Sequence, residues 1–217
     1  MIKLKNVYKS FSKTTILHNI NLEIKNGEFI VLNGVSGSGK STLLSIIASI
    51  LKPSSGLVEI DGENIVSLSD FHLSEYRVSS VGFVTQSFHL FDMLSVKENV
   101  IIPLLLNKLT QKEMLKYTQE AMSKAEILHK SNQNVSSLSG GEKQRCMIAR
   151  ALVNNPKMIL CDEPTANLDK ENSLKFIKII KNLKESGKTI IIATHDPLIS
   201  ELDFVDRIIQ IDEGKIE

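Results

Sequence analysis

The sequence predicts an α/β fold: a mixed, mainly parallel core sheet, with an antiparallel β-subdomain on its N-terminal side and a helical subdomain inserted into it. Three observations predict it. Strand-like and helix-like segments alternate through the C-terminal half, as βαβ units do. The N-terminal segments IKLKNV and ILHNINLEI show period-two apolarity, the mark of half-buried antiparallel strands. From about Leu68 to Ser137 the pattern turns mostly helical, with one strand-like piece at VGFVT.

Each element has a local reason. EFIVLNG is a dense apolar run ending in glycine, as a buried strand entering a loop would be. KSTLLSIIASIL reads as a helix stopped by Pro53. LVEIDGENIV carries Asp61-Gly62 between two apolar runs, a hairpin signal. From Gln111 to Ile127, Met114, Leu115, Thr118, Ala121, Met122 and Ala125 fall at helical spacing with one buried face. A helix follows Ser139 and runs through Val153, and KMILCD is a strand. A long helix from about Lys170 to Ser186 ends at Gly187, and TIIIAT and DRIIQID are further strands. The runs IIPLLL and KTIIIAT suit a buried helix turn or a strand.

Composition bounds the function. The chain has 217 residues, 42% hydrophobic and 24% charged, which excludes disorder and collagen-like repeats. Lys+Arg is 26 against Asp+Glu 25, a net charge of +1, so the basic excess of a nucleic-acid binder is missing. Cys146 and Cys161 are too few for a disulfide framework and read as free thiols in a reducing compartment. The start MIKLKNVYKS develops no apolar signal region, and no run approaches 18 apolar residues. A membrane role would therefore need another chain to supply the span.

The chemistry concentrates at strand ends. Gly34, Val35, Ser36, Gly37, Ser38, Gly39, Lys40, Ser41 and Thr42 fit G-x-x-x-x-G-K-[ST] between a predicted strand and a predicted helix. The glycines let backbone N–H groups point inward at phosphate oxygens, and the helix start adds its positive dipole end. Lys40 offers a compact charge to the β- and γ-phosphates, and Ser41 a hydroxyl to Mg²⁺. A chance match in a chain this size is of order 1% from average residue frequencies.

MILCDEP then delivers Asp162 and Glu163 at the C-terminal end of a strand, where α/β sheets bind ligands. Asp162 suits Mg²⁺, and Glu163 suits polarising an attacking water. His195 directly follows the strand TIIIAT and could sense a γ-phosphate. Gln86 follows VGFVT, and its amide oxygen could ligate Mg²⁺. His18, His72, His89 and His129 carry no motif. Finally, Ser139, Gly140, Gly141 and Glu142 open a helix with a good N-cap and exposed backbone donors. One triphosphate rarely needs two such turns in one chain, so this turn is expected to close on the nucleotide of another subunit.

These elements, in this order, resemble the nucleotide-binding subunit of ATP-binding cassette (ABC) transporters over essentially the whole chain. The resemblance implies the phosphate-loop ABC ATPase fold, a single domain over residues 1–217 with a helical insertion at about 87–140. It makes Gly34–Thr42 the Walker A loop, Gln86 the Q-loop glutamine and Leu138–Glu142 the signature. Met158–Asp162 becomes Walker B, Glu163 the catalytic glutamate, Ala166–Asp169 the D-loop and His195 the H-loop histidine. The aromatic that stacks on adenine falls at Phe11, with Tyr8 the alternative.

KENVIIPLLL, LSGGEKQR and DEPTANLD look like the branch that includes lipoprotein-releasing (LolD), macrolide-exporting (MacB) and cell-division (FtsE) ATPases. The resemblance implies ATP and Mg²⁺ as cofactors and a homodimer in the ATP-bound state. It also implies a separately encoded integral-membrane permease, a cytoplasmic position on the inner face of the membrane, and export or release of a lipoprotein, peptide or macrolide-like substrate. Mechanical signalling without cargo, as in FtsE, is the alternative. DNA-repair relatives carry long coiled coils and translation-factor relatives two cassettes, and neither pattern is present. Departures from the family pattern are Glu142 for glutamine, Thr85 for an aromatic before Gln86, and Asn33 for an apolar residue before the loop.

Overall fold

The computed structural model describes residues 1–217 and contains two sheets. β1 (Ile2–Phe11) and β2 (Thr14–Ile24) form an antiparallel pair. β3 (Phe29–Asn33) enters the glycine loop and leads to α1 (Lys40–Ile47). β4 (Ser55–Ile60) and β5 (Glu63–Asn64) flank the Asp61-Gly62 turn as a hairpin. The first sheet is antiparallel, in the order β2-β1-β4-β5.

α2 (Asp70–Ser80) leads to β6 (Val81–Val84), and then come α3 (Val96–Ile101), α4 (Gln111–Lys124) and α5 (Gly140–Leu152). β7 (Met158–Asp162), α6 (Lys170–Glu185), β8 (Thr189–Ala193), α7 (Pro197–Ser200), β9 (Arg207–Asp212) and β10 (Lys215–Ile216) complete the chain. The second sheet runs β10-β9-β3-β8-β7-β6, parallel except for β10. The two expected sheets are both present, the antiparallel one built from the N-terminal residues.

The central strands read as continuous apolar runs because both faces are covered. Phe29, Val31, Ile159, Cys161, Ile190 and Ile192 face a core shared with α3, α4, α5 and α6. Ile30, Leu32, Met158, Leu160, Ile191 and Ala193 face the opposite core, shared with α1 and the antiparallel sheet. Helix α4 buries Thr118, Ala121 and Met122, as its periodicity predicts. The helical segment has no core of its own: Val96, Val100, Leu104 and Met122 belong to the same cluster as Phe29 and Ile192. Both cysteines are free and buried.

Two local expectations are corrected. Helix α1 ends at Ile47, not at Pro53. Ser49 turns into the left-handed region at φ 57°, and Arg77 Nη1 of α2 donates to its carbonyl at 2.9 Å. Ser49 N–H donates to the Ile46 carbonyl and Ile50 N–H to the Ser45 carbonyl, both at 3.0 Å, so a left-handed C-terminal turn closes the helix before proline can. The run IIPLLL forms a 3₁₀ turn that is not buried throughout: Leu104 is covered, while Leu105 and Leu106 are exposed.

Candidate nucleotide site

The glycine loop sits where β3 leaves the centre of the parallel sheet. Gly34 has φ 154°, and a Cβ there would lie 2.2 Å from the Ile211 carbonyl oxygen, so only glycine fits against β9. The loop folds back over the start of α1. Lys40, only 5% exposed, donates from Nζ to the carbonyls of Gly34 at 2.7 Å and Val35 at 2.9 Å. Its charge is thereby held inside the loop rather than waving in solvent. Ser38 Oγ is buried with no hydrogen-bond partner. A buried orphan hydroxyl in a loop of backbone donors fits a phosphate group.

Across the loop, β7 delivers its two carboxylates. Ser41 Oγ donates to Asp162 Oδ1 at 2.9 Å. Burial raises the Asp162 pKa above the usual carboxylate range, and the neighbouring Glu163 charge adds to this against the Ser41 hydrogen bond. A half-buried carboxylate paired to a hydroxyl beside a second carboxylate fits a hard divalent cation. Asn33, the unexpected polar residue before the loop, is satisfied by Gln210 Oε1 at 3.0 Å on the adjacent strand.

Glu163 occupies the left-handed region at φ 44°. Strain of this kind in a non-glycine residue persists only when its surroundings fix it. Here Glu163 N–H donates to the Ala193 carbonyl at 2.8 Å, Thr194 Oγ1 donates to Oε2 at 3.1 Å, and His195 Nδ1 lies 3.0 Å from Oε1. Lys40 Nζ is 3.9 Å from the same Oε1. Sequence reasoning singled out Glu163 and His195 but not Thr194, whose only signal is its place between β8 and His195.

A pocket of about 400 Å³ is lined by Phe11, Ser36, Gly37, Lys40, Gln86, Glu163 and His195 among others, while Gly34, Val35, Ser38 and Asp162 are not in its lining. Ile16 and Ala166 also line it, and sequence reasoning named neither as a pocket residue. Tyr8 lines a different depression beside His18 and Lys215, so of the two aromatics Phe11 is the one that lines this pocket. Gln86 is exposed at the pocket, while the preceding Thr85 donates to the Ser87 carbonyl at 2.6 Å.

None of Ser139, Gly140, Gly141, Glu142 and Asp169 lines this pocket. The Ser139 turn opens α5 with a capping box, Ser139 N–H donating to Glu142 at 2.9 Å. Gly141 packs so closely on Asn172 that a Cβ would meet Asn172 Oδ1 at 2.2 Å. Asn172 in turn holds both Asp169 oxygens at 3.0 Å and accepts from Arg145 at 2.9 Å. The second anion turn and Asp169 are therefore tied into one unit that takes no part in the chain's own pocket lining.

A glycine loop closing on a buried lysine at the end of a central parallel strand, opposite two strand-end carboxylates, defines a phosphate-loop nucleoside triphosphatase. The chain matches the ABC transporter family over residues 17–166. The ABC transporter ATP-binding protein MJ0796 of Methanocaldococcus jannaschii is 42% identical over 226 residues, covering 100% of this chain and 95% of that protein. The dimeric structure of MJ0796 in a post-hydrolysis state bound to ADP and Pi superposes with a TM-score of 0.92, covering 100% of this chain and 97% of the other at 41% identity. The macrolide export ATP-binding/permease protein MacB of Campylobacter jejuni is 38% identical over 216 residues, covering 100% of this chain but 33% of MacB. The chain belongs to the ABC transporter family, and it is an ATP-binding ABC ATPase.

Proposed function

We propose that the protein works as a head-to-tail homodimer whose two ATP molecules lie between the glycine loop of one copy and the Ser139 turn of the other. The observation that carries this reading is the separation of the two anion turns: one lines the pocket and the other does not. The MJ0796 dimer holding ADP and Pi supports it. On this reading residues 1–217 act as one ATPase unit, with a helical insertion at about 87–140.

The chain's own groups divide the work. Backbone N–H groups of Gly34–Thr42 and the Lys40 ammonium bind the β- and γ-phosphates. Ser41, Asp162 and the Gln86 amide oxygen would hold Mg²⁺, which supplies charge neutralisation on those phosphates. Glu163 orients and accepts a proton from the attacking water, and His195 and Thr194 hold Glu163 in place for it. Phe11 stacks on adenine. Ser139 and the adjoining backbone donors of the second copy complete the γ-phosphate shell. Closure is stabilised by contacts that vanish on hydrolysis, so nucleotide drives a population shift between closed and open dimers.

No helix of the chain is long and apolar enough to cross a membrane. On the family's pattern, the output passes to a separate permease and the protein sits peripherally on the inner face of the membrane. Phe91 and Met93 after the Gln86 loop, and Leu105 and Leu106 on the helical segment, are exposed apolar side chains suited to that contact. The likeness to MacB, a macrolide export ATP-binding/permease protein, supports export of a macrolide-like substrate; a lipoprotein or peptide rests on the sequence resemblance alone. The test is light scattering on Glu163→Gln with and without ATP: a dimer with ATP alone supports the reading, and a monomer throughout overturns it.

A further inference from the structure

Arg150 lies on the last turn of α5, half-buried, and reaches back to the loop that leaves β6. Its Nη1 donates to the His89 carbonyl at 2.6 Å and its Nη2 to the Phe88 carbonyl at 3.1 Å. Burial lowers its pKa, and no carboxylate offsets that cost. A guanidinium drawn out of water is retained where its rigid fork of donors is matched. Here two successive carbonyls of one loop match it.

That loop carries Gln86, and it is braced from inside as well. Thr85 Oγ1 donates to the Ser87 carbonyl at 2.6 Å and lies 3.1 Å from His89 Nδ1. His89 turns into the left-handed region at φ 45°, where a non-glycine residue stays only when its surroundings fix it. The next stretch is held by Asn99 of α3, which is fully buried. Asn99 Oδ1 accepts from Phe91 N–H at 2.8 Å, and Nδ2 donates to the Phe91 and Ser95 carbonyls, both at 3.0 Å. The loop is thus pinned by α5 at residues 88–89 and by α3 at residues 91–95. Gln86 is the side chain of this loop that lines the nucleotide pocket.

We propose that Arg150 is a positioning residue for hydrolysis: by clamping the Phe88 and His89 carbonyls onto α5, it fixes where Gln86 presents its amide to the nucleotide. This rests on the role given to Gln86 above.

The experiment measures Mg²⁺-ATP hydrolysis by the full chain and separates kcat from KM. Arg150→Lys keeps the charge, but a single ammonium cannot reproduce the fork across two carbonyls. Its kcat should fall by about tenfold or more, the scale of displacing one group at a reacting centre, with KM near the parent. Gln86→Ala should lower kcat at least as far. The double variant should be no slower than Gln86→Ala alone, because Arg150 acts only through that side chain. An arginine that merely supported the fold would multiply the two losses instead. Arg150→Gln, which still donates to one carbonyl, carries the same expectation and decides the matter if Arg150→Lys melts below the assay temperature. An unchanged kcat in the Arg150 variant, or losses that multiply in the double variant, overturns the inference alone. An unchanged kcat in Gln86→Ala removes Gln86 from its role and overturns this inference with it.

Discussion

His195 Nδ1 stands 3.0 Å from Glu163 Oε1, and Lys40 Nζ approaches that same oxygen to 3.9 Å. One carboxylate, set on a strained backbone, is thus held between the end of β8 and the phosphate loop. A group so placed can orient a water against a γ-phosphate without reorganising when the nucleotide arrives.

Replacing Glu163 by Gln keeps the shape and the Thr194 contact but removes the proton acceptor. Phosphate release should fall by at least about a hundredfold while ATP still binds. Turnover close to the parent rate in a phosphate-release assay would remove Glu163 from its assigned role.

Lys40 is buried and already organised by two carbonyls, so its loss takes away a preformed charge. Lys40→Ala should weaken ATP binding by about tenfold or more, as for other charge-assisted contacts to phosphate. Calorimetric titration with ATP measures this directly. An unaltered dissociation constant would contradict the phosphate-loop assignment.

Asp162 gives a prediction with a sign. Its pKa is raised by burial, so the folded chain holds this proton more tightly than the unfolded chain. Stability should therefore fall as pH rises from the ordinary carboxylate value through the raised one. Asp162→Asn keeps an acceptor for Ser41 and removes that cost. At neutral pH the ligand-free variant should melt at a higher temperature than the parent. The advantage should shrink toward low pH, and Mg²⁺-ATP should no longer protect the variant. Thermal scans across pH showing no gain, or a loss, would refute the account of this carboxylate.

Phe11 and Tyr8 separate cleanly. Phe11 lines the nucleotide pocket, 48% exposed, with Lys9 Nζ 4.9 Å from its ring centroid, while Tyr8 lines another depression. Phe11→Ala should cost about tenfold in ATP affinity, the scale of one base–aromatic stack. Tyr8→Ala should leave affinity unchanged. The reverse order in a fluorescent-nucleotide titration would move the adenine contact to Tyr8.

Much of this was legible in the chain because local chemistry and tertiary position agree. The run FIVLN is apolar on both faces since both are covered, and Gly34 is glycine because β9 leaves no room for a Cβ. The strand-end position of Asp162, Glu163 and His195 follows from the alternation of elements alone. What stayed hidden depends on distant partners. The end of α1 is set by a left-handed turn at Ser49, a non-glycine residue, whose carbonyl is then taken up by Arg77 from another helix. The left-handed turn at Glu163 is fixed by Ala193 and Thr194 on the neighbouring strand and its exit, which no local pattern announces. The exposure of Leu105 and Leu106 runs against their apolarity, as a contact surface would.

The central claim is that each nucleotide pocket is completed by a second copy facing the opposite way. The most direct measurement is thiol cross-linking of Glu163→Gln carrying Ser36→Cys and Gly140→Cys, since both positions are exposed and both native cysteines are buried. With ATP, a short bis-maleimide should join the thiol introduced at position 36 of one copy to the thiol introduced at position 140 of another. A covalent dimer should therefore form with ATP and not without it. Monomers alone in saturating ATP, or dimers linked only through like positions, would contradict the account.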